Sequence, residues 1–203
     1  MKKIIKVLAI IVILFVGALG TLILIGPSDV VVLSEEEEKK QQQMETEQFK
    51  DVDLSGFKTT DLNGNKVTSD LFSKNKLTMV NIWATWCGPC IDEMPEISKL
   101  YNELPIGTNV ISICTDAGDD KDSLDTAKEV MNKSNAKFKT LIPDVVLKKN
   151  LTDGIQVFPT TIFIDSKGKV VGSPHFGEPT AEGFKKSIDE HLKLVEENSN
   201  EKN

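Results

Sequence analysis

Two cysteines at close spacing are the residues best suited to chemistry in this sequence. Cys87 and Cys90 are separated by Gly88 and Pro89, at the start of a segment with the apolar periodicity of a helix. Such thiols can close a small disulfide ring, and the helix dipole stabilises a thiolate at the helix N-terminus. We therefore expect disulfide exchange: Cys87 attacks a substrate disulfide, and Cys90, one turn deeper, attacks the mixed disulfide to release the reduced substrate.

A structural disulfide or half of a zinc site is the alternative for this pair. A tetrahedral zinc site needs four ligands, and beyond the pair the sequence offers only Cys114, His175, His191 and carboxylates. Redox chemistry is therefore favoured, and no metal or cofactor is expected. Cys114 ends a predicted strand and should be a buried apolar residue. His175 is expected in a surface loop, with a substrate contact or a copper ligand as the alternative, and His191 on an exposed helix face.

A predicted strand, loop and helix position the cysteine pair. The apolar run 77–84 predicts a buried strand, residues 90–104 predict a helix, and two short strands flank the Asn-Gly turn at 63–64. Further elements are predicted in chain order as a strand at 109–115, helices at 123–133 and 145–150, a hairpin of 160–165 with 169–172, and a helix at 180–197. This order predicts an α/β fold with a mixed central sheet flanked by helices and an N-terminal β-hairpin extension.

The residues around the cysteines carry a family resemblance. The segment Trp83–Cys90, WATWCGPC, with the Glu-Met-Pro triplet at 93–95, resembles the active site of thioredoxins, and in particular of the extracytoplasmic TlpA/ResA branch of thioredoxin-like proteins. The resemblance covers most of the chain after residue 49 and implies a thioredoxin fold in which Cys87 attacks and Cys90 resolves. It also implies three further residues of the active-site motif: Trp86, Gly88 and Pro89.

A second segment, VFPTT at 157–161, resembles the cis-proline loop of the same family. A cis X-Pro bond costs about 1 kcal/mol, against roughly 3 kcal/mol for other residues, so such a loop requires a proline. The resemblance implies that Pro159 packs beside the disulfide, that the backbone of Phe158 pairs with an extended substrate segment, and that Gly177 borders the same groove. Alternatively, Pro159 only delays the start of the following strand.

Asn81 occupies the place where cytoplasmic thioredoxins carry a buried aspartate that exchanges protons with the resolving cysteine. An asparagine side chain cannot do this at neutral pH. Glu93 lies three residues after Cys90 on the same helix face and matches a glutamate of ResA-like proteins, so it is the expected proton partner. The alternative is that Glu93 is solvated, as neighbouring Asp92 is expected to be, and only favours the helix dipole.

The direction of the reaction is expected to be reductive. Gly88-Pro89 is the dipeptide of reducing thioredoxins. The substrates would be disulfides of extracytoplasmic proteins: an apocytochrome whose thiols must be kept reduced in cytochrome c biogenesis, another exported redox enzyme or a sulfoxide reductase. A membrane thiol donor would supply the electrons. A disulfide-forming oxidase or isomerase is the first alternative, because one dipeptide does not fix the redox potential. A Cu(I)-binding metallochaperone is the second.

The N-terminal region predicts attachment to the cell membrane. Residues 7–25 are uncharged and apolar, long enough to span a bilayer, and they follow Lys2, Lys3 and Lys6. The positive-inside rule places the N-terminus in the cytoplasm and the catalytic domain outside. The predicted organisation is an anchor helix at 1–26, an acidic polar stalk at 27–48, the thioredoxin-like domain at 49–197 and a polar tail at 198–203. A signal peptide cleaved near Ala18-Leu19-Gly20 is the alternative.

The charge of the chain argues against a nucleic-acid partner. The formal net charge is −7, and all 24 basic residues counted as Lys or Arg are lysines. Binding to a phosphate backbone draws most of its affinity from concentrated Lys and Arg, and no basic cluster is visible. The partners to expect are those that the resemblance implies, disulfide-containing proteins and a membrane thiol donor.

Overall fold

The computed structural model describes residues 47–176 and 180–200. The predicted anchor at 1–26 and nearly all of the predicted stalk lie outside these residues, as does Gly177. No helix within the described residues is long and apolar enough to cross a membrane.

A seven-stranded mixed sheet forms the centre of the described residues, in the order β2-β1-β5-β4-β3-β6-β7. Strands β3, β4 and β5 run parallel, whereas β6 is antiparallel to β3, and the hairpin of β1 and β2 extends the β5 edge through antiparallel pairing. The strands are β1 (Lys58–Asp61), β2 (Lys66–Thr68), β3 (Leu77–Trp83), β4 (Thr108–Cys114), β5 (Lys139–Ile142), β6 (Thr160–Asp165) and β7 (His175–Phe176). The sheet therefore matches the predicted mixed sheet with its N-terminal hairpin.

Helices and apolar segments cover both faces of the sheet. The helices are α1 (Gly88–Tyr101), α2 (Lys121–Lys133), α3 (Val145–Asn150) and α4 (Ala181–Asn200), with 3₁₀ helices at Ser69–Lys74 and Thr152–Gly154. Side chains of β3 alternate between two buried clusters, because successive residues of a strand point to opposite faces. Met79 joins the cluster that α1, α2 and α4 cover, and Val80 joins the one that Phe49, Phe72 and Leu147 cover.

The predicted hairpin at the end of the sheet is confirmed in part, and the prediction for His191 is wrong. The second arm of the hairpin, 169–172, pairs with β6 only over its first residues: Val170 bridges Ile164, and the N–H of Val171 donates to the Phe163 carbonyl at 2.8 Å. A further strand, β7, pairs with the start of β6. The chain leaves the strand path at Gly172, whose φ is 65°. His191 was expected to be solvated but is 8% exposed. It stacks on Phe163 with ring centroids 3.8 Å apart.

Candidate active site

Cys87 and Cys90 form a disulfide at the N-terminus of α1. The fully buried strand β3 ends at Trp83, a three-residue loop follows, and Cys87 is the residue that caps the helix. Its sulfur accepts a hydrogen bond from the backbone N–H of Cys90 at 3.3 Å. Pro89 lies in the first turn, where a missing N–H costs no helical hydrogen bond. The sequence thus places the sulfur of Cys87 where backbone N–H groups stabilise a thiolate.

Both cysteines are buried, but an exposed aromatic side chain stands beside them. Cys87 is 5% exposed and Cys90 is fully buried, in the order expected from the sequence. Trp86, directly before Cys87, is 69% exposed. Its ring meets that of Phe158 edge to face, with centroids 5.4 Å apart. Trp86 and Phe158 therefore form an aromatic surface next to the disulfide.

The loop before β6 lies beside this surface. The Phe158–Pro159 peptide bond is cis, as expected for the loop, and Pro159 is buried. The hydroxyl of Thr160 donates to the carbonyl of Val157 at 2.6 Å and closes the turn around the proline. Phe158 packs against the cluster that contains both cysteines. Gly177, the other predicted residue of the groove, lies outside the described residues.

Glu93, a residue of α1, is buried and not solvated. Its side chain is 1% exposed, and Oε1 accepts a hydrogen bond from Nδ2 of Asn81 at 2.6 Å. Burial raises the pKa of Glu93 to about 7, and the hydrogen bond from Asn81 opposes the rise only in part. A carboxyl group with this pKa can take up and release a proton near neutral pH. Exposed Asp92 has the solvated environment that was the alternative for Glu93.

A row of polar side chains crosses the apolar sheet at Asn81, and the sequence did not predict it. The register aligns Thr140, Ser112, Asn81, Thr161 and His175 on five adjacent strands. Asn81 donates to Oγ1 of Thr161 at 3.1 Å, and the Ser112 and Thr140 hydroxyls are 2.8 Å apart. Nε2 of His175 is buried and has no hydrogen-bond partner among the described residues. The five residues lie far apart in the sequence, and only the strand register brings them together.

Asp116 is a further residue near the site that the sequence did not predict. Its carboxylate accepts hydrogen bonds from the backbone N–H and the hydroxyl of Thr85, two residues before Cys87. A signal was available: β3 and β4 are consecutive strands around a helix, and parallel strands bring their carboxyl ends to one edge of the sheet. A polar residue just after β4 therefore lies near the loop just after β3.

Cys114 is the free cysteine of the described residues and is fully buried. Burial is the first cause that raises the pKa of its thiol, and the charge of Asp116 adds to it. Its sulfur donates to Oδ1 of Asp116 at 3.2 Å. This environment fits the apolar, unreactive role expected from the sequence. Within the described residues, no group of three or more His, Cys, Asp and Glu side chains lies close enough to hold a metal ion.

Comparisons with known proteins agree with this architecture. The model of the AhpC/TSA family matches residues 45–173. The thiol-disulfide oxidoreductase ResA of Bacillus anthracis is 37% identical over 120 residues, which cover 57% of this chain and 65% of ResA. The thioredoxin-like protein YneN of Bacillus subtilis (strain 168) is 28% identical over 119 residues, covering 58% of this chain and 66% of YneN. The chain thus spans slightly less than two thirds of these relatives.

The fold also recurs in solved structures. A thiol:disulfide interchange protein of the thioredoxin family from Chlorobium tepidum TLS superposes with a TM-score of 0.56 at 22% sequence identity. The superposition covers 70% of this chain and 96% of that protein. The described residues thus have a thioredoxin-like α/β fold.

Proposed function

The chain belongs to the AhpC/TSA family, and we propose that it is a thiol–disulfide oxidoreductase that reduces disulfides of extracytoplasmic proteins. The observation that carries the proposal is the Cys87–Cys90 disulfide at the N-terminus of α1, next to the cis-Pro159 loop. ResA, which shares 37% of its residues over the matched part, is named a thiol-disulfide oxidoreductase. The buried carboxyl group of Glu93 supports the same chemistry.

The proposed reaction starts from the dithiol form. The Cys87 thiolate attacks one sulfur of the substrate disulfide, the new bond forms a mixed disulfide, and the other substrate sulfur leaves as a thiolate. The thiol of Cys90 then loses its proton, for which Glu93 is the acceptor. The Cys90 thiolate attacks the sulfur of Cys87, and the second substrate thiolate leaves. The substrate has gained two electrons, and the protein holds the Cys87–Cys90 disulfide.

Each further residue of the site has a proposed role in this sequence of steps. Trp86 and Phe158 supply apolar surface on which the substrate segment lies, and the backbone of Phe158 pairs with that segment as an added strand. Gly88 and Pro89 shape the first turn of α1, so that the sulfur of Cys87 meets free N–H groups. The roles of Pro159 and Gly177 in the groove remain those that the resemblance implies.

The proposed location is the outer side of the cell membrane. The apolar run at 7–25 with lysines before it supports a single membrane-spanning anchor with the N-terminus in the cytoplasm. A protein that reduces disulfides there consumes its own dithiol in each cycle, so a membrane thiol donor must return two electrons to the Cys87–Cys90 disulfide. Cytochrome c biogenesis is one process that requires such a reductant.

Trapping of the mixed disulfide tests the proposal. With Cys90→Ala, the second attack is impossible, so reduced protein mixed with oxidised insulin should accumulate an adduct on Cys87 that dithiothreitol releases. Cys87→Ala, which retains Cys90, is the matched control and should form no such adduct. The unsubstituted reduced protein should instead release insulin thiols and end as the Cys87–Cys90 disulfide. Absence of an adduct with the Cys90→Ala protein would exclude the exchange mechanism.

A further inference from the structure

Asp116 binds the loop that carries the nucleophilic cysteine. Oδ1 of Asp116 accepts from the backbone N–H of Thr85 at 3.0 Å, and Oδ2 lies 3.3 Å from the same nitrogen. The hydroxyl of Thr85 also donates to Oδ2. Both oxygens of one carboxylate thus hold one residue of the three-residue loop between β3 and α1. The role of Cys87 in disulfide exchange does not account for this contact.

The strands on either side keep the two loops together. Trp83 and Cys114, the last residues of β3 and β4, are partners in the parallel register. The backbone N–H of Thr115 donates to the carbonyl of Trp83 at 2.9 Å, which continues the pairing past the strand ends. Asp116 therefore reaches Thr85 from a fixed edge of the sheet, and only Trp86 lies between Thr85 and Cys87.

The position of Cys87 depends on this loop. The backbone N–H of Cys87 donates to the carbonyl of Ala84 at 3.1 Å, and its sulfur accepts from the N–H of Cys90 at 3.3 Å. In the dithiol form the same N–H group and the helix dipole would stabilise a Cys87 thiolate. A shift of the loop would move the sulfur away from the N–H groups, and the thiolate would lose that stabilisation.

We propose that Asp116 is a positioning residue that, through Thr85, holds Cys87 as the cap of α1 and so keeps its thiolate reactive. The inference deepens the proposed function and rests on it only in taking Cys87 as the reacting thiol. Asp116 acts through hydrogen bonds and not through its charge. A negative charge near Cys87 disfavours the thiolate, so by charge alone the carboxylate would slow the reaction that its hydrogen bonds promote.

This opposition of charge and geometry makes two substitutions decisive. Asp116→Asn removes the charge but keeps an acceptor for the Thr85 N–H, and its amide can donate to the Thr85 hydroxyl. Asp116→Ala removes both the charge and the hydrogen bonds. If Asp116 acted by charge, both substitutions would make Cys87 more reactive. If it positions the loop, the alanine protein becomes less reactive and the asparagine protein does not.

The experiment is alkylation of the reduced full-length protein in detergent micelles. Iodoacetamide is added at pH 7, and mass spectrometry follows the carbamidomethyl group on Cys87 with time. Asp116→Ala should lower the rate constant by about three- to tenfold, the effect of losing one helix cap. Asp116→Asn should react at least as fast as the unsubstituted protein. Thr85→Val should be slower, whereas Thr115→Val, whose hydroxyl binds the Trp83 carbonyl on the same edge, should react normally.

An unchanged or raised rate in Asp116→Ala would overturn the inference, and so would an equal loss in the alanine and asparagine proteins. Urea unfolding of each variant gives its folded fraction, and rates are compared per folded molecule, so that lost stability does not count as lost positioning. The measurement uses no disulfide substrate. If the unsubstituted protein alkylates rapidly at Cys87 but the Cys90→Ala protein forms no mixed disulfide with insulin, the proposed function fails while the inference on Asp116 is still decided by the variants.

Discussion

The carboxyl group of Glu93 connects folding to proton uptake. Glutamate in an unfolded chain has a pKa near 4.5, and burial raises the pKa of Glu93 to about 7 in the folded protein. The folded state therefore binds the proton more tightly than the unfolded state does. The stability that protonated Glu93 contributes to the folded state is full below pH 4.5 and is lost as the pH rises to about 7. At higher pH the folded protein holds a buried carboxylate, at a cost of roughly 3 kcal/mol.

Glu93→Gln should remove this dependence on pH. Glutamine cannot ionise, and its side-chain oxygen can still accept the hydrogen bond from Asn81. The free energy of unfolding of the variant relative to the unsubstituted protein should rise by about 3 kcal/mol between pH 4 and pH 8. Urea unfolding of the oxidised proteins at several pH values measures it. Asp92→Asn, at the exposed neighbouring position, is the control and should give no such rise; the same flat difference for Glu93→Gln would contradict the burial cost.

At the scale of single residues, short motifs were more predictable than burial. Cys87, Cys90 and the cis bond at Pro159 follow from segments of five to eight residues, because their geometry is local. Glu93 could be placed on the helix face of Cys90, but its burial depends on β3 and β6. The burial of His191 also depends on contacts that the local sequence does not indicate. Its ring nitrogens lie 2.7 Å from the Ser187 carbonyl and 3.1 Å from the Ser173 carbonyl, and only the second contact comes from outside its helix.

At the scale of elements, strands with a continuous apolar run were predicted, and β5 was not. Its sequence KTLI is only four residues long, yet it pairs with β4 on one side and with the β1 hairpin on the other. Such a strand is fixed by its neighbours more than by its own composition. The segment after β6 was predicted to be a regular hairpin arm. Gly172 interrupts it, and the backbone there faces α4.

Gly172→Ala tests how tightly this segment packs on α4. A Cβ atom at Gly172 would lie 2.7 Å from the ring of His191, which the carbonyls of Ser187 and Ser173 hold in place. The residue also has a φ of 65°, which costs a non-glycine residue about 1 kcal/mol or more. We expect a loss of about 2–4 kcal/mol in the free energy of unfolding.

The control for this substitution isolates the backbone cost. Gly64, in the turn between β1 and β2, has a φ of 81°, and no atom lies within 4 Å of the place that a Cβ atom would take there. Gly64→Ala should therefore lose only the conformational part, about 1 kcal/mol. Urea unfolding of both variants gives the difference. Equal losses would show that the ring of His191 moves aside at no cost.

At the scale of the whole molecule, the segment before the first strand belongs to the folded domain. Phe49 and Leu54 are buried in the cluster under the sheet, on the face away from the disulfide helix. The backbone N–H of Leu54 donates to the carbonyl of Gly168 at 2.9 Å, and Nδ2 of Asn150 donates to the carbonyl of Asp53 at the same distance. The boundary between stalk and domain at residue 49 stays a prediction, because residues 1–46 lie outside the described residues.

Two truncations separate the proposed anchor from the domain. A chain of residues 47–203 lacks the apolar run but retains Phe49 and Leu54, so it should leave the membrane fraction and still reduce insulin. A chain of residues 57–203 loses both buried side chains, which should cost about 3–6 kcal/mol of the 5–15 kcal/mol typical of a domain. Urea unfolding and the insulin assay on both chains measure the effect. Only the chain 47–203 contains Phe49 and Leu54. If the two chains were equally stable, residues 47–56 would not contribute to the core.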